Sequence, residues 1–303
     1  MTSPGSTRVT KKAPPPSADD RKRKSRSLHT LGLIAASLTG AAQFAGAQAA
    51  EEKDLIRYQW NNTQMVAQRA GDTNGTRVIF IHGTPGSAGA WDDYLADVPD
   101  CFEYVAVDRA GFGESGPDDA VTSLADQAEA LVPLVDTANR ADVIVVGHSL
   151  GGPVATMLGI LRPHSVKALV IVAGSLDPAL EEIHFMQPIG EWWGVRHVLP
   201  RMIRNANREL MVLEAELEAL APLMADLRMP VQVVHGTQDN LTPFQNVQYM
   251  ETHFTSAPLT VTILEGQNHF LPWNSKAEID AAIDRAANSS QSTPSESELS
   301  ETP

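Results

Sequence analysis

The feature that most constrains this 303-residue chain is a series of short apolar runs separated by stretches of helix length. Six such runs, rich in Val and Ile, cover residues 77–82, 102–107, 143–147, 166–172, 231–235 and 259–264. Nearly continuous apolar strands that alternate with helices are typical of a parallel sheet covered on both faces. The pattern therefore predicts an α/β fold, doubly wound around a mostly parallel sheet. Two earlier segments, 56–60 and 64–70, are predicted to add antiparallel strands, which makes eight.

Helices are predicted in the intervals, over residues 88–96, 123–139, 150–161, 243–253 and 275–287. In the second of these, apolar residues at spacings of 4, 3 and 4 share one face: Leu124, Ala128, Leu131 and Val135. One interval, between the strands that end at Val172 and begin at Val231, is too long for a plain loop in a compact domain. With a helical run at 207–220, it is predicted to be an inserted helical cap at about 174–228.

The two ends of the chain differ from its middle in composition. Residues 1–47 hold eight Lys and Arg against two Asp, and a basic cluster at 21–26 precedes a mostly apolar stretch of small residues that closes with Ala45-Gly46-Ala47. This order is typical of a secretory signal, so we predict a cleaved signal peptide at 1–47 and a periplasmic or secreted mature domain at 48–287. An uncleaved membrane anchor and a basic binding patch are the alternatives, and the short apolar run favours cleavage. Residues 288–303 are rich in Ser, Glu and Pro and are predicted to be a disordered tail.

Charge and cysteine content exclude several classes of function. The formal net charge of −14 disfavours binding to nucleic acid, and membrane contact is expected only if the signal is not cleaved. The single cysteine, Cys101, excludes an intramolecular disulfide and a multi-cysteine zinc site. Its place beside the apolar run at 102–107 predicts a buried, inert thiol. Neither a metal-ligand motif nor a Gly-rich phosphate loop is present, so we predict no cofactor and no metal.

The strongest chemical signal is the segment Gly147-His148-Ser149-Leu150-Gly151, directly after one predicted strand and directly before a helix. Gly-x-Ser-x-Gly at such a junction is typical of a nucleophile elbow, in which the turn is too tight for larger flanking residues. The serine would stand above the sheet with the helix N-terminus behind it, a position that favours negative charge. A purely structural Gly/Ser turn is the alternative, and the strand–turn–helix placement disfavours it.

Four further segments follow predicted strands in chain order, namely 82–87 (HGTPGS), 108–115 (DRAGFGES), 235–239 (HGTQD) and 266–270 (GQNHF). With these markers, residues 55–287 resemble the α/β-hydrolase-fold serine hydrolases of the esterase and lipase kind. The resemblance implies a Ser-His-acid triad in the order Ser149, Asp239, His269. An aspartate nucleophile, as in the haloalkane dehalogenases and epoxide hydrolases of this fold, is disfavoured by Ser149.

The residues themselves support the same roles. A serine hydroxyl is a poor nucleophile until a base takes its proton, and of nine histidines only His269 lies just past the last predicted strand. Asp239 is predicted to hold the imidazole in one tautomer; Asp177 is the alternative, because some relatives place the acid after the preceding strand. Asp108 is predicted to brace its own Gly-rich turn. The oxyanion hole is predicted from the backbone N–H groups of Leu150 and Thr84, since Pro85 has none.

Substrate specificity is predicted to lie in aromatic residues of the cap and beside the base: Phe185, Trp192, Trp193 and Phe270. The cap aromatics are equally well explained as the cap's own small core. The leading hypothesis is an exported carboxylesterase acting on a small-molecule ester or lactone. A second is an aminopeptidase or amidase, because His82–Gly86 resembles the HGGPG loop of proline iminopeptidases and the acidic residues Glu181, Glu182 and Glu191 could hold a substrate amine. A third is a receptor on a hydrolase scaffold, which the complete triad disfavours.

Overall fold

Eight strands form one sheet in the part of the chain that the computed structural model describes, which is residues 54–136, 143–181, 192, 194 and 197–289. The spatial order is β1-β2-β4-β3-β5-β6-β7-β8. The first two strands pair antiparallel with each other, β2 pairs antiparallel with β4, and all other pairs are parallel. This confirms the predicted doubly wound, mostly parallel sheet. The bounds are β1 (Asp54–Trp60), β2 (Thr63–Gly71), β3 (Thr76–Ile81), β4 (Phe102–Val107), β5 (Val143–His148), β6 (Val166–Val172), β7 (Val231–Gly236) and β8 (Leu259–Leu264).

Helices cover both faces of the sheet. They are α1 (Asp92–Leu95), α2 (Leu124–Glu129), α3 (Val132–Asp136), α4 (Gly151–Leu161), α5 (Arg201–Leu220), α6 (Gln245–His253), α7 (Leu271–Asn274) and α8 (Lys276–Asn288). Short 3₁₀ turns occupy Ala88–Trp91, Pro178–Leu180 and Ala221–Asp226. None of the described helices is long and apolar enough to span a membrane.

Alternate residues of the strands supply two separate apolar clusters. In β3, Ile79 and Ile81 join the cluster under α2, α4, α5 and α6, whereas Val78 and Phe80 join the cluster under α1 and α8. This division follows from the two-residue period of a strand, whose side chains point to opposite faces. Burial on both faces explains why the central strands, β3 to β7, form continuous apolar runs in the sequence.

Two predicted helices are wrong in part. The helix predicted over 123–139 is broken between Glu129 and Val132, where Pro133 has no N–H to continue the helical hydrogen bonds. The helix predicted over 88–96 is a 3₁₀ turn followed by the single turn of α1. The last helix ends at Asn288, one residue beyond its predicted end. Residues 1–47, 137–139 and 290–303 of these predictions lie outside the described residues.

The prediction for Cys101 is also wrong. The thiol is exposed, and Cys101 has a φ of +66° in the turn that precedes β4. Its carbonyl oxygen accepts a hydrogen bond of 2.8 Å from the N–H of Thr76. The apolar run that was expected to bury the thiol begins one residue later, at Phe102, so the cysteine belongs to the turn and not to the strand.

The insertion between β6 and β7 contains α5, which is longer than the predicted helical run at 207–220 because it begins at Arg201. Its buried face continues into the main core through Leu213, Leu217 and Leu220. The rest of the predicted cap, residues 182–191, 193, 195 and 196, lies outside the described residues, so the cap as a whole stays a prediction.

Candidate active site

Ser149 occupies a strained turn between β5 and α4. Its φ is +56°, in the left-handed region that non-glycine residues rarely adopt, and its N–H donates to the carbonyl of Val172 at 3.0 Å. A Cβ on Gly147 would collide with the backbone of Gly151, and a Cβ on Gly151 would collide with the carbonyl of Ile81. The tight turn predicted for this segment is therefore present, and both flanking glycines are required by the space around them.

Asp239 and His269 meet at the same edge of the sheet, on the loops that follow β7 and β8. His269 Nδ1 lies 2.8 Å from Asp239 Oδ2. The other oxygen of this buried carboxylate accepts hydrogen bonds from the N–H groups of Leu241 at 2.9 Å and Thr242 at 2.8 Å. Burial alone raises the pKa of Asp239, but the hydrogen bonds from His269 and Thr242 outweigh it and hold the pKa below its ordinary value. An ionised carboxylate only accepts, so His269 carries its proton on Nδ1 and leaves Nε2 free to take one.

Asp177, the alternative acid, is engaged elsewhere. Its side chain accepts a hydrogen bond of 3.0 Å from the N–H of Ala179 and so caps the 3₁₀ turn at Pro178–Leu180. Its own N–H donates to Asn246 Oδ1 at 2.8 Å. Among the described residues, no hydrogen bond joins Asp177 to His269. The geometry therefore favours Asp239 as the partner of His269.

His148 supports the His269 loop instead of acting as a base. Its Nε2 lies 3.0 Å from the carbonyl oxygen of His269, and the two ring centroids are 4.8 Å apart. Burial and the neighbouring His269 lower the pKa of His148 to about 3, so the ring is neutral at pH 7 and donates to that carbonyl through Nε2. This supporting contact of His148 was not predicted from the sequence.

The loop after β3 passes directly against Ser149. A Cβ on Gly83 would lie 2.8 Å from Ser149 Cβ and 3.2 Å from Ser149 Oγ, so only glycine fits there without a shift. Over the described ranges, the N–H groups of Thr84 and Leu150 donate no hydrogen bond to another residue. One of these N–H groups follows the glycine that contacts Ser149 and the other follows Ser149 itself, so both remain candidates for the predicted oxyanion hole.

Ser149 Oγ itself makes no hydrogen bond with His269 within the part of the chain that is described. The structure thus brings Asp239 and His269 into contact, whereas Ser149 and His269 are not hydrogen-bonded to each other. Such catalytic hydrogen bonds are often long in unliganded enzymes and tighten when substrate binds.

Asp108 has the bracing role predicted for it. Its carboxylate accepts hydrogen bonds from the N–H of Ala88 at 2.7 Å and the N–H of Glu114 at 2.8 Å, and so closes the turn that follows β4. Burial raises the pKa of Asp108, and these two hydrogen bonds offset part of that rise. A Cβ on Gly113 would collide with this carboxylate, which explains a glycine at that place.

A buried ion pair beside the site was missed by sequence reasoning. Arg109 is fully buried, and its Nη1 lies 2.6 Å from Oε1 of Glu209 on α5. Glu209 Oε2 also accepts a hydrogen bond of 2.6 Å from Thr84 Oγ1. A signal was available, because Glu209 falls on the same helical stripe as the buried residues Ala206, Leu213, Leu217 and Leu220. A carboxylate on that stripe needs a buried partner.

Two of the four predicted substrate-binding aromatic residues, Trp192 and Phe270, lie among the described residues. Phe270 is half-buried, with its ring centroid 6.0 Å from that of His269 and 6.0 Å from that of Trp273. Trp192 is 66% exposed, so it does not line an enclosed pocket with the described residues. Phe185 and Trp193 lie outside them. Within the described ranges, no group of three His, Cys, Asp or Glu side chains is placed to hold a metal ion.

Comparison with known proteins identifies the family of this chain. Residues 78–282, more than half of the chain, match the model of the alpha/beta hydrolase family. The chain belongs to this family. It is 37% identical over 113 residues to lipase LipV of Mycobacterium tuberculosis, covering 37% of this chain and 41% of that protein. It is 33% identical over 127 residues to a dihydrolipoyllysine-residue acetyltransferase component of an acetoin cleaving system from Cupriavidus necator, covering 41% of this chain and 34% of the other. The matches thus span about a third to two fifths of these relatives' lengths.

Solved structures with the same fold are more distant in sequence. The 2-hydroxy-6-oxo-6-phenylhexa-2,4-dienoate hydrolase of Rhodococcus superposes with a TM-score of 0.63 at 18% identity, over 78% of this chain and 100% of the other. Epoxide hydrolase CorEH superposes with a TM-score of 0.61 at 20% identity, over 77% and 98%. At these identities the likeness establishes the fold and leaves the reaction to be argued from the site.

Proposed function

We propose that this α/β hydrolase is a serine hydrolase that cleaves carboxylic esters of small molecules, lactones included, through an acyl-enzyme on Ser149. The observation that carries the proposal is the contact of 2.8 Å between Asp239 and His269, at the sheet edge where Ser149 stands on its strained turn. A buried carboxylate that fixes a histidine next to a serine is the arrangement that activates a serine hydroxyl.

The proposed reaction has two halves. Ser149 Oγ attacks the ester carbonyl carbon while His269 Nε2 takes its proton, and the ionised Asp239 stabilises the imidazolium that forms. The N–H groups of Thr84 and Leu150 bind the oxygen on which negative charge develops. Collapse of the tetrahedral intermediate expels the alcohol, which receives the proton from His269. Water, activated by the same histidine, then hydrolyses the acyl-enzyme.

A second candidate, an aminopeptidase or amidase, is supported by one contact. Ser175 Oγ hydrogen-bonds Glu181 Oε1, and the N–H of Ser175 donates to the carbonyl of Ser149 at 3.3 Å, so an acidic side chain lies near the nucleophile. Burial, however, raises the pKa of Glu181, and a carboxyl that is more easily protonated is a weaker partner for a substrate amine. Ester cleavage therefore ranks first.

The direct test compares the full chain with Ser149→Ala on p-nitrophenyl acetate, butyrate and octanoate and on a prolyl p-nitroanilide. We expect ester turnover that falls by at least about 10³-fold in the variant, since the hydroxyl is the proposed nucleophile. The chain-length profile would then report the size of the acyl pocket. Equal ester hydrolysis by both proteins would contradict the proposal, and turnover of the anilide alone would favour the second candidate.

We also propose, from the sequence alone, that residues 1–47 direct export and are removed. N-terminal sequencing of the protein recovered from a bacterial host and its medium tests this. A mature N-terminus at about residue 48 is expected, and an intact N-terminus in the membrane fraction would indicate an anchor.

A further inference from the structure

Helix α5 is fastened to the loops at the carboxyl edge of the sheet by several polar contacts, among them one set near its start and a second set around Glu209. Near its start, the Arg201 guanidinium donates to the carbonyl oxygens of Gly113 at 3.0 Å and Pro117 at 2.7 Å, and also to that of Ser115. Two turns further along, Glu209 contacts Arg109 through both of its carboxylate oxygens. Only the second set continues into the loop that faces Ser149.

From Glu209, the contacts continue into the loop that holds the Gly83–Thr84 peptide group. Arg109 Nη2 donates to the carbonyl oxygen of Gly83 at 3.2 Å, and Arg109 Nε donates to that of His82 at 3.0 Å. Glu209 Oε2 accepts from Thr84 Oγ1 at 2.6 Å, on the other side of the same peptide. The side chain of one α5 residue therefore restrains the Gly83–Thr84 peptide from both of its ends.

His82 completes this restraint. The N–H of Arg109 donates to His82 Nε2 at 3.1 Å, so Nε2 is an acceptor and the ring proton is on Nδ1. His82 Nδ1 lies 2.7 Å from the carbonyl oxygen of Gly83 and therefore donates to it. Burial and the nearby Arg109 keep the pKa of His82 well below its ordinary value, which preserves this neutral form. The carbonyl oxygen of Gly83 thus accepts hydrogen bonds from two donors, Arg109 Nη2 and His82 Nδ1.

The planarity of the peptide transmits this restraint to the oxyanion hole. In a trans peptide the C=O and the following N–H point in opposite directions. With the Gly83 carbonyl held toward Arg109 and His82, the N–H of Thr84 is directed away from them. The Cα of Gly83 faces Ser149 closely enough that an added Cβ would lie 3.2 Å from its Oγ.

We propose that Glu209 is a positioning residue for the oxyanion hole, holding the Gly83–Thr84 peptide, through Arg109 and Thr84, with the Thr84 N–H facing Ser149. This inference rests on the proposed function, because the hole matters only if an oxyanion forms at Ser149. Loss of one oxyanion donor costs on the order of 10²–10³ in rate. A donor that is displaced but not removed should cost less, about 10- to 100-fold.

The test uses Glu209→Gln in the full chain, with kcat and KM measured for p-nitrophenyl butyrate. We expect kcat to fall about 10- to 100-fold and KM to change less than about 2-fold, because an oxyanion donor acts in the transition state and not on the bound ester. Thr84→Ala, which removes the hydroxyl contact and keeps the N–H, should lower kcat by a smaller factor. Arg201→Gln is the matched control, because it weakens the docking of the same helix without touching this peptide, and its kcat should match the wild type.

An alkyl boronic acid provides a readout that does not depend on turnover, since it forms a tetrahedral adduct with a serine hydroxyl. Its affinity, measured by calorimetry, should fall in Glu209→Gln by the same factor as kcat and be unchanged in Arg201→Gln, with circular dichroism confirming that each variant is folded. A folded Glu209→Gln or Thr84→Ala that binds the boronic acid as tightly as the wild type would overturn the inference. A wild type that binds it but hydrolyses no ester would refute the esterase proposal alone. A wild type that does neither would overturn both.

Discussion

Two buried arginine–glutamate pairs lie at opposite ends of the same parallel strands. At the amino ends, Arg77 of β3 and Glu103 of β4 face each other in register, with Arg77 Nε 2.7 Å from Glu103 Oε2. At the carboxyl ends, Arg109 joins the loop after β4 to Glu209 of α5 at 2.6 Å. Both pairs are almost fully withdrawn from solvent, yet only the second touches the loop that faces Ser149.

The two ion pairs therefore have different roles in the same sheet. The amino-end pair connects two neighbouring strands and the carbonyl of Leu134, to which Arg77 Nη1 donates at 2.7 Å, so its task is to hold the framework. The carboxyl-end pair restrains a peptide of the candidate oxyanion hole. Changes at the carboxyl edge should therefore alter kcat, and changes at the amino edge should alter the free energy of unfolding.

The largest expected effect is at the carboxyl edge. Asp239→Asn should lower kcat by about 10³- to 10⁴-fold, because the amide no longer fixes the His269 tautomer or stabilises its charged form. Asp177→Asn is the matched control and should retain kcat within about 2-fold. The kcat values of both variants on an ester show which aspartate is the partner of His269. A large loss in Asp177→Asn with little loss in Asp239→Asn would show that the alternative acid is the real one.

The next effect should appear at the amino edge and in stability alone. Glu103→Leu leaves the Arg77 charge buried without its carboxylate, which should lower the free energy of unfolding by about 3–5 kcal/mol. Asp136→Asn, which breaks a partly exposed contact of 2.9 Å with Arg162, should lower it by less than about 1 kcal/mol. Urea unfolding measures both. A Glu103→Leu protein that is folded but has a lower kcat would contradict the proposed difference between the two edges.

A smaller effect on kcat is expected from steric crowding beside Ser149. In Gly83→Ala the new Cβ would lie 2.8 Å from Ser149 Cβ, so the loop must shift and carry the Thr84 N–H with it. We expect kcat to fall about 10- to 100-fold, by partial loss of one oxyanion donor. Gly89→Ala, whose Cβ would have its nearest neighbour at 3.5 Å, is the control and should be active. Full activity of Gly83→Ala would argue against the close approach.

The smallest expected effect is on how the free energy of unfolding depends on pH. His82, His148 and His235 all lie at the carboxyl edge, and burial lowers the pKa of each. For His148 the pKa is about 3 in the folded protein against an ordinary value of 6.5, so between these values the unfolded chain binds the extra proton. Stability must then fall as the pH falls below about 6.5, by about 2 kcal/mol between pH 7 and pH 5 for one such histidine.

Urea unfolding at pH 5, 6 and 7 measures this loss of stability. In His148→Gln, the number of protons taken up on unfolding should be smaller by about one. An equal free energy of unfolding at pH 5 and pH 7 would mean that the carboxyl edge does not keep its histidines neutral.

Most of the fold could be predicted from the sequence because the central strands, β3 to β7, are almost wholly buried and are therefore short apolar runs. The outer strands β1, β2 and β8 are more exposed, and they too were predicted. The break between Glu129 and Val132 and the exposure of Cys101 could not be predicted with the same ease. Both depend on where a turn falls within one or two residues, which apolar periodicity does not resolve.

The candidate site, like the fold, could be predicted only in part. Ser149 and His269 stand in local motifs next to strands, so the sequence alone was enough to propose them. Asp239 was already preferred to Asp177 from the sequence, and the contact of 2.8 Å between Asp239 and His269 supports that preference. Glu209 was missed, because its partner Arg109 is 100 residues away and a helical pattern reports the buried face without saying what it meets.

The central claim is that Ser149 is a nucleophile activated by His269, and covalent labelling tests it most directly. The full chain would be treated with a fluorophosphonate, digested, and the labelled peptide identified by mass spectrometry, in the wild type and in His269→Ala. The account predicts a single label on Ser149 in the wild type and labelling slowed by at least about 10²-fold in the variant, because the base is gone. A label on another residue, or equal rates in the two proteins, would contradict it.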